Sequence, residues 1–432
     1  MTTSNTDTIL KTIRANRLMN LPVSWSDELI FPHLNGYSIV NLAQSIMQVL
    51  GVTDANSPLD PTVWGENPPE NIDRVVLFIS DGLGYHYLNQ LTEQDETIRS
   101  FVDALSAGRG ISPLTSILPS TTVAALPTLW TGVAPGVHGV VGTHMFLKEV
   151  SMLCNILRFT PSLGKHPNGL IEEWGVSGDT FVTVPSLAHR LHSADVKTYS
   201  VMERTLVGSG LSKILHRGVD ENYSHRSTAD MWVRLREILA ETRNTKSYIC
   251  VYVDHIDRLS HEYGAHNAYT QAEVTHQLGQ LSALLADPAV SDGRTLCLVA
   301  ADHGHYDTPN PISVEKHPDL ALLRDAMRYD FGAEARFGTF ALRDGTKADV
   351  IAHIAEHFPE TLACLDVETA IQAGVFGTDP LHANLRHRLG DVIISTKAGY
   401  VLVDRQHDFR SISRHGGMSE WEMLVPFIWK KL

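Results

Sequence analysis

Short apolar runs recur along this chain, separated by amphipathic stretches. Residues 74–80 (RVVLFIS), 197–201 (KTYSV), 248–253 (YICVYV), 295–301 (TLCLVAA) and 391–395 (DVIIS) show little of the in–out alternation of a half-exposed strand. Runs of this kind suit strands buried on both faces, as in a parallel sheet covered by helices. Residues 38–50, 184–193, 229–241, 269–285 and 348–357 instead carry apolar positions at helical spacing. In the first of these, Ile39, Leu42, Ile46, Met47 and Leu50 share one face. Strands alternating with helices predict an α/β fold, with a mostly parallel central sheet flanked by helices on both faces. No repeat or long linker interrupts the pattern, so residues 1–432 read as a single domain. Residues 144–177 and 309–387 break the alternation and read as insertions near the active face. The second has its own strand and helix, GTFALRDG followed by ADVIAHIAEHF.

Composition narrows the class. The chain is 43% hydrophobic and 19% charged, and Lys+Arg 35 against Asp+Glu 49 leaves a net charge of −14. That balance argues against a nucleic-acid polymer or an anionic membrane as partner. Small anionic substrates stay open, because bound cations can reverse the local sign. The 22 histidines are many for a chain this acidic and direct attention to metal or acid–base chemistry. Cys154, Cys250, Cys297 and Cys364 form no CxxC pair, which removes a zinc-finger reading and makes a disulfide framework unsuitable. The first twenty residues lack a signal-peptide pattern. No apolar run approaches the roughly 20 residues that span a bilayer. The expectation is a cytoplasmic protein without a membrane segment.

The chemistry sits where the apolar runs end. RVVLFIS runs into Asp81-Gly82, YICVYV into Asp254-His255-Ile256-Asp257, and TLCLVAA into Asp302-His303-Gly304. Ligands of open α/β sheets bind beyond the carboxyl ends of the strands. A carboxylate at such a buried edge is costly unless paired or metal-bound. Asp257 and His261 are four residues apart, so on a helix both face one side and can meet one ion. His415 precedes two glycines, which permit a tight turn that leaves its ring accessible. In PSTTVAALPTLWTG, hydroxyls at 120–122 stand before a small-residue helix whose N-terminus favours an anion.

In this order the motifs resemble the alkaline phosphatase superfamily, most closely its type I phosphodiesterase/nucleotide pyrophosphatase branch, from about Arg74 to the end. The resemblance matches Asp81 to the first metal-binding Asp and Thr122 to the nucleophile. Asp257 and His261 in DRLSHEYG match a D-x-x-x-H-x-x-G ligand pair, Asp302-His303-Gly304 a D-H-G motif, and His415 the last ligand. It implies two divalent ions, zinc first and manganese second. One would sit on Asp81, Thr122, Asp302 and His303, the other on Asp257, His261 and His415. It implies hydrolysis of phosphodiester or pyrophosphate bonds of a small phosphate ester through a phosphothreonine. A phosphomonoesterase, a phosphonate hydrolase and a catalytically silent metal-binding module are the alternatives.

Two departures bear on the substrate. Thr143 stands where the family carries an Asn that helps hold a phosphate oxygen, and Val123-Ala124-Ala125 replaces an aromatic-Pro-Asn run. Both weigh against a nucleotide diester and leave the metal chemistry intact. Thr143 offers a single hydroxyl donor. Asn155 and Arg158, in the first insertion, are candidates for contacting the substrate's second substituent. Asp254 and His255 are expected to orient the ligands, while His138 and His305 are expected to be structural. A sulfatase is disfavoured, since no C/S-x-P-x-R pattern surrounds Thr122.

Overall fold

The computed structural model describes residues 3–18, 21, 29–65, 68–208, 210–378, 380–404 and 411–432. Its centre is a seven-stranded sheet in the order Ser112–Thr115, Leu424–Lys431, Thr295–Ala300, Arg74–Ser80, Ser247–Val253, Lys197–Glu203, Glu221–His225. Neighbours from Thr295–Ala300 to Glu221–His225 run parallel. Leu424–Lys431 pairs antiparallel with both of its neighbours. The three central strands Arg74–Ser80, Ser247–Val253 and Thr295–Ala300 are buried at every position, as unalternated apolar runs require.

Helices Ile39–Val49, Leu187–His192, Thr228–Glu241 and Ala268–Leu285 occupy the stretches expected from their periodicity. In register, Ser80 lies opposite Val253 and Ile79 opposite Ala300. The chain therefore emerges from three adjacent strands at one level, and Asp81, Asp254 and Asp302 come to one edge.

The run at 391–395 differs from expectation. Val392–Thr396 is buried throughout, yet it belongs to a second, antiparallel sheet. That sheet has the order Leu362–Asp366, Val392–Thr396, Phe337–Phe340, Gly332–Glu334, His144–Leu147, Met152–Asn155, Thr160–Pro161. Covered on both faces, this antiparallel strand has the same unalternated pattern as a parallel one, so the run alone does not distinguish them. The segments read as separate insertions share this sheet, joined where Ala333 pairs with His144. Helix Lys347–His357 packs Val350 and Ile354 into a satellite core with Phe331, Phe340, Ile394 and Leu402.

A buried ion pair ties the two sheets together. Arg336 donates to Glu422 through Nε (2.6 Å) and Nη2 (2.8 Å), and neither side chain is exposed. Glu422 also accepts from Gly417 N–H and Ser419 Oγ, so the pair is held in a complete network.

Candidate active site

Asp81 follows the strand Arg74–Ser80 and is 2% exposed. Its Oδ2 accepts a hydrogen bond from the Tyr252 hydroxyl, while Oδ1 is buried without a hydrogen-bond partner. Gly82 (φ 80°) is required beside it, because a Cβ there would come within 2.9 Å of the Asp257 Cα. Asp302 is fully buried. Its Oδ1 accepts from the amides of Gly82 and His303, and its Oδ2 is left without a partner.

His303, also fully buried, faces both carboxylates. Its Nε2 is 3.4 Å from Asp81 Oδ1 and 3.5 Å from Asp302 Oδ2. Nδ1 lies 3.1 Å from the Gly304 carbonyl. Donation there leaves the Nε2 lone pair aimed at the carboxylates. Two orphaned carboxylate oxygens and one imidazole nitrogen, mutually close and sealed from water, are a donor set suited to a divalent cation. Burial pushes the Asp81 carboxyl well above the usual range, and the nearby charges of Asp302 and Asp257 push it further. A cation at this point would relieve both effects.

Thr122 opens the helix Thr122–Thr131, and its Oγ1 is 3.0 Å from His303 Nε2. Thr121, the capping residue, is extended (φ −136°), and its buried hydroxyl has no hydrogen-bond partner. Of the adjacent threonines, Thr122 is the one in contact with His303.

A second cluster gathers around Asp257, on the helix His255–Tyr263. Asp257 Oδ1 is 2.8 Å from His305 Nε2, 3.4 Å from His261 Nε2 and 3.6 Å from His415 Nε2. His261 Nδ1 is 2.9 Å from the Ser413 carbonyl, so donation there leaves Nε2 to face Asp257. Burial acts to raise the Asp257 carboxyl, but His261 and His305 outweigh it and hold the group well below its ordinary range. Burial, reinforced by His303, keeps His415 far below its usual pKa and therefore neutral, the form a metal needs. The His303 and His415 rings stack with centroids 3.8 Å apart, so the clusters are contiguous.

Both clusters open into one cleft of about 400 Å³, lined by Asp81, Thr122, Asp257, His261 and His415 on its floor. Thr143, His144, Leu157, Leu206, Glu334 and Arg414 also line it. The structure thus gathers Asp81, Thr122, Asp257, His261, Asp302, His303 and His415 and places Thr143 beside them.

Asn155 and Arg158 are not among the residues lining the cleft. Asn155 Nδ2 is 3.4 Å from His144 Nε2, and its Oδ1 accepts from the Arg158 amide. Asp254 pairs with Arg258, and His255 with Glu273. His138 is buried against Thr128 and the Val140 amide, as a structural histidine.

Two residues gain a place that sequence reasoning did not give them. His305 bridges Asp257 and Ser413 Oγ. Its signal was present in D-H-G-H, a second histidine two residues beyond the first. Glu334 accepts a 2.8 Å hydrogen bond from the Thr143 amide, and no local motif marks it.

The chain whose sheet edge carries this buried carboxylate–imidazole cluster is a hydrolase of the alkaline phosphatase superfamily. Residues 75–418 match the family model described as type I phosphodiesterase / nucleotide pyrophosphatase, and the chain belongs to that family. No curated protein matches the sequence significantly.

Solved structures share the fold. Human ectonucleotide pyrophosphatase/phosphodiesterase 5 aligns at TM-score 0.61 and 16% identity, covering 82% of this chain and 87% of that one. An inactive variant of the murine protein in complex with AMP gives TM-score 0.59, 14% identity and the same coverages. Phosphonoacetate hydrolase from Sinorhizobium meliloti 1021, in complex with phosphonoformate, gives TM-score 0.58 and 16% identity over 83% and 90% of the two chains. Among the described residues no helix is long and apolar enough to cross a membrane.

Proposed function

We propose that this hydrolase cleaves phosphodiester or pyrophosphate bonds of a small phosphate ester, with Thr122 as nucleophile and a phosphothreonine as intermediate. The observation that carries the reading is the contact of Thr122 Oγ1 with His303 Nε2, the nitrogen that also faces the orphaned oxygens of Asp81 and Asp302. Asp81, Asp302, His303 and Thr122 would hold one divalent ion, and Asp257, His261 and His415 the other, zinc before manganese. Such a pair, when bound, supplies Lewis-acid stabilisation of the charge that develops on the attacking and leaving oxygens.

The residues do the rest. Thr122 Oγ1 forms the bond to phosphorus, and the bond from phosphorus to the ester oxygen breaks, so the alcohol departs with a proton. Water then attacks the phosphothreonine, the Oγ1–phosphorus bond breaks, and Thr122 is restored. The helix beginning at Thr122 presents free amides and its positive dipole end to the phosphate oxygens. Thr143 lies along the wall beside it.

Replacing Thr122 by Ala tests the covalent step. The expected outcome is a loss of turnover of roughly 10⁴-fold or more with metal content near wild type. Full activity in a metal-replete T122A protein would overturn it. A panel of p-nitrophenyl phosphate monoester, phosphodiester, phosphonate and sulfate assigns the bond type. The diester is expected to lead, and dominant phosphonate cleavage would move the assignment to that alternative.

A further inference from the structure

Glu334 ends the strand Gly332–Glu334, is 8% exposed, and lines the cleft that holds Thr122 and His415. It is pressed against the turn after His415, where a Cβ on Gly416 would lie 2.7 Å from its own Cβ. One oxygen accepts from the Thr143 amide. Among the described residues no lysine, arginine or histidine pairs with its carboxylate, although Arg258 and Arg414 line the same cleft. Arg258 is instead engaged by Asp254 and Glu203. A carboxylate accepts up to about four hydrogen bonds, so Glu334 keeps acceptor capacity inside the cleft. That capacity faces the cleft, so a donor group on whatever enters can take it up.

A phosphate group drawn to the floor of the cleft brings its substituent past this wall. An additional negative charge there would meet Glu334 and be repelled. A positive or donor group would satisfy it. Leu157 and Leu206 line the same cleft and suit a short hydrocarbon link. We propose that Glu334 is a substrate-recognition residue, accepting a hydrogen bond from an ammonium or hydroxyl group on a short alkyl substituent of the phosphorus. This deepens the phosphohydrolase reading, rests on it, and within it selects the phosphodiester over the pyrophosphate.

The test uses the metal-replete full-length protein and three diesters with one leaving group: p-nitrophenyl 2-aminoethyl, 2-hydroxyethyl and ethyl phosphate. Wild type is expected to favour the aminoethyl or the hydroxyethyl ester over the ethyl ester by about tenfold or more in kcat/KM. An aminoethyl preference identifies the ammonium as the recognised donor, and a hydroxyethyl preference the hydroxyl. Glu334→Gln keeps an acceptor for the Thr143 amide and removes the charge, and the preference is expected to shrink to within about threefold.

Equal rates on all three esters overturn the inference, as does a preference that survives in E334Q. Faster turnover of phosphonoacetate, whose substituent is a carboxylate, overturns it as well. If E334Q does not fold, the wild-type ratios decide alone.

If no ester is hydrolysed, the phosphohydrolase reading fails separately. The subsite is then read by calorimetric binding of 2-aminoethylphosphonate, 2-hydroxyethylphosphonate and ethylphosphonate to the zinc-loaded protein. Tighter binding of either donor-bearing ligand by wild type, absent in E334Q, supports the subsite. Equal binding of all three overturns it.

Discussion

His305 makes two hydrogen bonds, one to the Asp257 carboxylate and one to the Ser413 hydroxyl, and so fixes Asp257 from behind. The neighbouring His261 is fixed in turn by the Ser413 carbonyl. Burial depresses the His305 imidazole to about 4, so it stays neutral and holds one proton to donate. Groups that orient a metal ligand typically change metal affinity by about 10–100-fold when removed. If Asp257 holds an ion as proposed, His305→Ala is therefore expected to weaken that ion by this factor, read by competitive metal titration, with binding at Asp81 and Asp302 less affected. Unchanged affinity at both would show that Asp257 needs no support from His305. At this scale much of the candidate site was legible: Asp81, Asp257, His261, Asp302 and His303 sit in short motifs just after predicted strands, and His415 is marked by the two glycines that follow it. Glu334 was not legible, because its partner Thr143 is 191 residues away and only the fold brings them together.

Single elements show where hydrophobic pattern is decisive and where it is degenerate. The buried runs at 74–80, 248–253 and 295–301 became adjacent parallel strands, since only a covered sheet tolerates such sequences. The run at 391–395 obeyed the same burial rule in an antiparallel sheet, and period alone carries no information about strand direction.

The helix Thr3–Ala15 buries Ile9 and Ile13 in the core and is fastened near its end by Arg14. Arg14 makes a two-pronged ion pair with Glu420, through Nε at 2.6 Å and Nη2 at 2.8 Å, and His86 meets the same carboxylate. The Arg14 and His86 hydrogen bonds pull the Glu420 carboxyl down to about 2. A carboxyl that titrates near 4.3 when unfolded and lower when folded stabilises the fold above about pH 4.3. That contribution disappears as pH falls towards 2. The pair is partly exposed, so Glu420→Gln is expected to cost about 1 kcal/mol at pH 7. Urea midpoints for wild type and E420Q should draw together below about pH 4 and converge as pH falls towards 2. A constant difference across that range would exclude the pair as its source.

Across the whole molecule, the two sheets meet at Arg336 and Glu422, and the same carboxylate holds Gly417 two residues beyond His415. Glu422→Gln leaves a buried guanidinium without its counter-charge. It should destabilise the protein by about 3–5 kcal/mol in urea unfolding. Metal content should fall as well, because the His415 turn loses its anchor. A variant of normal stability would mean that the network reorganises around Arg336.

Removing metal should act on the whole fold. Each ion at a free concentration about a hundredfold above its dissociation constant stabilises the fold by about 2.7 kcal/mol. Chelation is therefore expected to abolish activity and lower the melting temperature together, with zinc or manganese restoring both. Retained activity after verified removal would rule out the two-ion site.

Four strands of the central sheet were legible as buried apolar runs, three of them leading directly to an Asp, whereas Ser112–Thr115, Glu221–His225 and Leu424–Lys431 emerged only from the fold. The second sheet was not legible, since it is assembled from both insertions and from the run at 391–395, which look unrelated when read separately.

That assembly has a consequence for how this enzyme changes over evolutionary time. The floor of the cleft is encoded in strand-end motifs, but the wall facing the substrate is a seam, closed by the Ala333–His144 bridge and by the Thr143 amide on Glu334. Neither side of the seam has a finished surface alone. A change that moves the backbone on one side of the seam therefore has to be matched by a change in a distant stretch of the gene. Grafting one stretch from a relative would leave a strand edge without its partner, whereas exchanging both would keep the edge paired and leave the strand-end motifs untouched.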